Sequence, residues 1–146
     1  MYSDIQKKLA ERLNAFPGRY ECHITVNVEP HQMHDFRKVC DQLDAKAIEI
    51  VLDNGHYPRQ PMLSKMLGGA TEEVIHEIAR LHHKLSQRFP IIRIKVETAF
   101  DCSSVPGNKI EALSLPEDCY FEFHVRLQLQ KGEKLDQIRN DLSAYG

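Results

Sequence analysis

Apolar and polar side chains alternate without a break over residues 20–29, YECHITVNVE. Tyr20, Cys22, Ile24, Val26 and Val28 share one face, and Glu21, His23, Thr25, Asn27 and Glu29 the other. A period of two is that of a strand with one buried face. The same period returns over residues 120–130, YFEFHVRLQLQ, where Phe121, Phe123, Val125, Leu127 and Leu129 oppose Tyr120, Glu122, His124, Arg126 and Gln128. Two shorter strands are predicted. One spans 47–53 around Ile48, Ile50 and Leu52, and in the other Ile92, Ile94 and Val96 alternate with Arg93, Lys95 and Glu97. Elsewhere the period becomes helical. Ile5, Leu9 and Leu13 predict a helix over 4–15, opened by a Ser3–Gln6 capping box and stopped by Phe16-Pro17-Gly18. Met33, Phe36, Cys40 and Leu43 predict a second over 30–43, with Pro30 at its first position. Val74, Ile78, Leu81 and Leu85 predict a third, capped by Thr71 and ending near Phe89-Pro90. Leu135, Ile138 and Leu142 predict a short fourth after Gly132.

The connections narrow the topology. Asn54-Gly55 is a tight-turn signal. Pro58 and Pro61 in the return segment HYPRQPMLSKMLGG predict an edge strand or an extended loop, since proline has no N–H for a ladder. Residues 101–118 hold Pro, Gly, Ser and Asp without a period and read as a long loop. No internal repeat and no linker stand out. The order is a helix, then strand–helix–strand–strand–helix–strand, then a further strand and helix. It matches a ferredoxin-like, mainly antiparallel α+β sheet with helices on one face. Residues 1–146 are expected to form one domain, with Cys22, Ile24, Val26, Phe123, Val125 and Leu127 buried together.

Composition removes several classes of function. Nineteen Lys and Arg against 21 Asp and Glu leave a formal charge of −2, so bulk electrostatic capture of DNA is excluded as the main activity. No apolar run approaches the roughly 18 residues of a membrane span. The start, MYSDIQKKLAERL, lacks the apolar stretch of a signal peptide, so a cytoplasmic location is expected. Cys22, Cys40, Cys102 and Cys119 form no Cys-x-x-Cys pair and read as reduced thiols. Cys22 and Cys40 fall on apolar faces, as small core hydrophobes.

The polar face of the sheet carries the candidate chemistry. Glu21-Cys22-His23 and Glu122-Phe123-His124 each set a carboxylate and an imidazole two apart on a strand, hence on one face. Thr25 follows His23 on that face, and Arg126 follows His124. If the two strands line one groove, two imidazoles meet a hydroxyl and a guanidinium. Phosphate-ester chemistry uses these groups: one His takes a proton from the nucleophile, and the other donates one to the leaving oxygen. Thr25, Arg126, Arg93 and Lys95 would hold the phosphoryl oxygens, while Glu21 and Glu122 orient the rings. No cofactor and no metal are required by this arrangement.

His-Ile-Thr-Val at 23–26 resembles the His-x-Thr-hydrophobic motif of the two-histidine phosphoesterase superfamily, with His124-Val125-Arg126-Leu127 in the place of the second motif. The resemblance implies two similar lobes facing a cleft, with activity on 2′,3′-cyclic phosphates or related RNA ends. It also implies His23 and His124 as the catalytic pair and a small phosphate ester or RNA end as partner. Arg126 departs from the pattern, which has Thr or Ser at that position.

Two other readings rest on the same residues. Two His with one or two Glu are also a first coordination shell for zinc, iron or manganese. A noncatalytic ferredoxin-like module could use the open face to bind a ligand or to form a homodimer. His31 and His34 read as a solvated helix face, and adjacent His82 and His83 diverge by about 100° on a helix and cannot chelate together. Gly68-Gly69 reads as a loop, because Glu72 and Glu73 already occupy the positive helix end behind it. Arg59 and Lys65 are candidates to extend an anion-binding rim.

Overall fold

The computed structural model of the chain describes residues 3–13, 18–52, 55–99, 105–132 and 134–143. It divides into two compact units, Met1–Leu115 and Pro116–Gly146. The first holds helix α1 (Asp4–Leu13), strand β1 (Gly18–Val26), a 3-10 turn (Pro30–Gln32), α2 (Met33–Gln42), β2 (Lys46–Val51), β3 (Arg59–Gly69), α3 (Thr71–Ser86), β4 (Ile91–Thr98) and the short α4 (Lys109–Leu113). The four strands form one antiparallel sheet in the order β2-β3-β1-β4. This is an α+β, ferredoxin-like arrangement: each helix crossover returns the chain to a non-adjacent position, and the central pair is β1 and β3.

The alternation read from β1 holds. Tyr20, Cys22, Ile24 and Val26 are buried together with Leu63 and Leu67 of β3. Met33, Phe36, Val39 and Cys40 of α2 and Val74, Ile78, Leu81 and Leu85 of α3 close over them. Phe36 meets Phe89 edge to face, with ring centroids 5.5 Å apart. Leu9 and Leu13 of α1 pack at the margin of this core. The Ser3–Gln6 capping box forms, with Gln6 Oε1 accepting from the Ser3 N–H at 2.9 Å. The far end of the helix expected over 4–15 lies at residues 14–17, outside the described residues, as does Asn54 of the expected turn.

Three expectations are corrected within the first unit. The proline-bearing return segment is β3, an interior strand rather than an edge or a loop. Its pairing explains why prolines are tolerated. β1 partners β3 only from Met62 onward, so Pro61 lies where β2 is its sole neighbour and no bond to β1 is lost. The N-cap of α3 is Ala70, not Thr71, and Glu73 accepts the Ala70 N–H at 3.1 Å. Part of the expected loop over 101–118 is helical: α4 is capped by Asn108, whose side-chain oxygen accepts from the Ile110 and Glu111 N–H groups.

The second unit contains α5 (Leu135–Ser143). Residues 120–130 have no assigned secondary structure and join no ladder, against the strand expected there. Cys22, Ile24 and Val26 are fully buried, but Phe123, Val125 and Leu127 are 81, 80 and 51% exposed, so the shared core expected of the six is corrected to the first three. A strand is defined by its neighbour; alternation alone gives only the propensity.

Candidate functional site

Cross-strand partners point to the same side of a sheet, so the register assembles the face opposite the helices row by row. Glu21 lies between Glu97 and Met66, His23 between Lys95 and Ser64, and Thr25 between Arg93 and Met62. Five of the residues singled out from sequence, Glu21, His23, Thr25, Arg93 and Lys95, therefore form one patch on β1 and β4. Its centre is not wet: Thr25, Ser64 and Met62 are buried.

His23 is the hub of this patch. Its Nε2 lies 3.2 Å from Glu97 Oε2 and 3.6 Å from Glu21 Oε1, and only 13% of the side chain is exposed. Nε2 is therefore the ring nitrogen that faces both carboxylates. Ser64 Oγ donates to Glu21 Oε1 at 2.8 Å, which fixes that carboxylate from the other side. Lys95 Nζ pairs with Glu97 Oε1 at 2.5 Å. His23 Nδ1 is buried and has no hydrogen-bond partner among the described residues. One oxygen from each of Glu21 and Glu97 and one nitrogen of His23 all lie within 4.8 Å of one another, close enough for a single cation to reach all three.

A bulge shapes the space beside this hub. The β1–β4 register shifts between Thr25, opposite Arg93, and Val26, opposite Ile91, so Ile92 is the extra residue. It leaves the expected apolar face of β4 and lines a pocket of about 270 Å³ together with Thr25, Arg93, Leu52, Tyr57 and Gln60. Arg93 Nη2 donates to Gln60 Oε1 at 3.5 Å.

The remaining candidates fall elsewhere. Glu122, His124 and Arg126 belong to the second unit, where His124 Nε2 lies 3.1 Å from Glu122 Oε1 and the histidine is exposed. Lys65 sits opposite Cys22, on the helix side of the sheet, where its Nζ donates to Leu43 O at 2.8 Å and pairs with Glu77 at 3.2 Å. Arg59 pairs with Glu49 and donates to Val28 O. Neither extends a rim on the open face. His31 and His34 are exposed, and His83 receives or donates a bond with Gln87 along α3.

Two members of the patch were missed as site residues. Glu97 was legible as a polar-face residue of β4, but its convergence on His23 depends on the register. Ser64 carried no signal, because its strand was not read as part of the sheet interior. Comparison with protein-family models and with curated proteins finds no match. Among the described residues no helix is long and apolar enough to cross a membrane.

Proposed function

We propose that the open face of the first unit handles a phosphate ester, with His23 as an acid–base group in a phosphodiesterase-type hydrolysis that needs no metal. The observation that carries this reading is the convergence of two carboxylates on His23 Nε2, beside Thr25, Arg93 and Lys95. An imidazole that takes a proton from a nucleophile becomes a cation, and Glu97 and Glu21 stand where they stabilise it. Arg93 and the Thr25 hydroxyl offer donors to phosphoryl oxygens. His124, held by Glu122 and followed by Arg126, is assigned the complementary proton for the leaving oxygen, on the resemblance of the two His-containing motifs. The substrate class is a small phosphate ester or an RNA end.

The test is hydrolysis of 2′,3′-cyclic and linear phosphodiesters with a chelator present, comparing the wild type with His23→Ala and His124→Ala. The expected outcome is activity that survives the chelator and falls by about 10²–10⁴-fold in each variant. Loss of activity in only one variant removes the other histidine from the mechanism. No turnover of any ester leaves a noncatalytic ligand-binding module.

A second reading has its own support. Two carboxylates beside the imidazole also suit a cation, and the three donor atoms of Glu21, His23 and Glu97 are spaced to hold one. Activity abolished by chelator and restored by a divalent ion assigns the patch to that role.

A further inference from the structure

The pocket beside the His23 hub differs in character from the face around it. Successive rows of that face carry Glu21 with Glu97 and His23 with Lys95. At the Thr25 row the pocket is walled instead by Ile92, Leu52 and Tyr57. Leu52 and Tyr57 are 43 and 50% exposed, and Ile92 is half-buried. Ile92 reaches this place through the bulge. A regular ladder would set it opposite Val26, whose side chain is in the core. The extra residue gives up a ladder pair and leaves Ile92 facing the pocket.

Arg93 is exposed at the same pocket. Gln60 joins the two sides: its Oε1 accepts from Arg93 Nη2 at 3.5 Å, and its Nε2 donates to Tyr57 O at 3.1 Å. A guanidinium with five N–H donors thus stands, with Ile92, across from a tyrosine and a leucine. That pairing suits a ligand with an acidic end and a flat apolar end.

We propose that this pocket holds a ring-bearing organic group of the ester whose phosphoryl group lies against Arg93 and the Thr25 hydroxyl. The inference rests on the reading of the open face as a phosphate-ester site, and it adds a substrate class: esters that carry a flat ring, in preference to short alkyl ones. Size agrees. The volume of about 270 Å³ lies below the roughly 300–1,000 Å³ of sites that enclose drug-sized ligands, so it takes a single ring rather than a length of chain. Position agrees as well. His23 is two residues from Thr25 on one face, ~7 Å along the strand, a gap that one hydrogen-bonded phosphoryl group spans. The ring then points away from the row of Glu21 and Glu97.

The experiment is titration of the full chain with phenylphosphonate and with methylphosphonate, followed by the amide NMR shifts of Ile92 and Arg93. The two probes share an acid group on a phosphorus–carbon bond and offer no ester to cleave, so binding is read apart from turnover. Phenylphosphonate is expected to bind at least ~10-fold more tightly. Tyr57→Ala, at an exposed position, removes that preference and leaves methylphosphonate binding unchanged. Arg93→Gln weakens both probes by roughly tenfold. Equal affinity for the two probes overturns the proposal, as does no binding of either up to ~10 mM. So does a ring preference that survives both Tyr57→Ala and Leu52→Ser. Ring-selective binding by a protein that hydrolyses no ester supports the pocket and removes only the hydrolytic reading. Ester hydrolysis without ring-selective binding keeps the hydrolytic reading and overturns the pocket.

Discussion

Cys22 and Cys40 are thiols placed where a small apolar side chain is wanted. Burial pushes both up to about 12, with Glu77 adding to the effect at Cys22 and Asp41 at Cys40. Their thiolates are therefore scarce at neutral pH, and reactivity follows the thiolate. Cys119 is exposed. Brief alkylation of the native protein at neutral pH, followed by peptide mass mapping, should label Cys119 and spare Cys22 and Cys40 until denaturant is added. Both buried positions were legible from the strand and helix periods alone. The same face carries Val26, which is fully buried. Val26→Asp places an unpaired carboxylate there and should destabilise the first unit by several kcal/mol, on the order of 3 or more, measured as a drop in the urea midpoint. His23 and Thr25 were also legible as residue types on the opposite face. What could not be read was that Ser64 and Glu97 close around that histidine, since each contact joins strands far apart in sequence.

Elements are held to one another by a smaller number of polar contacts. Glu77 on α3 accepts from Arg80 at 2.7 and 2.8 Å and pairs with Lys65 of β3, so it ties the helix to the sheet. The Arg80 hydrogen bond, chiefly, brings its carboxyl down from 4.5 to about 2, with Lys65 adding to this and partial burial acting the other way. The folded state then binds fewer protons than the unfolded one. Stability from this group is complete above about pH 4.5 and disappears as the pH falls towards 2. Urea midpoints measured across that window should show the advantage of the wild type over Glu77→Gln shrinking with acid and vanishing near pH 2. The helices themselves were legible because their apolar stripes are long and regular. β3 was not, since the rule that proline avoids interior strands applies residue by residue. Pro61 satisfies it locally while the strand as a whole is central.

At the scale of the whole molecule, strand and helix order was enough to indicate the sheet of the first unit, because a split strand–helix–strand pattern admits few sheet orders. The exposure of residues 120–130 was hidden because periodicity reports which side chains share a face and says nothing about whether anything covers it. The register of β3 carries a consequence for motion. Arg59–Pro61 and their β2 partners extend past the last β1–β3 pair, Thr25–Met62, so this part of the hairpin has a ladder along one edge only. Leu52, Tyr57 and Gln60 on that arm form one wall of the pocket, while Thr25, Ile92 and Arg93 on the anchored strands form the other. Two side-chain bonds tie the arm to the β1 side, Arg93–Gln60 and Arg59–Val28 O, and breaking them disturbs no ladder of the β1 core, which gives the pocket an opening mode cheaper than unfolding the sheet.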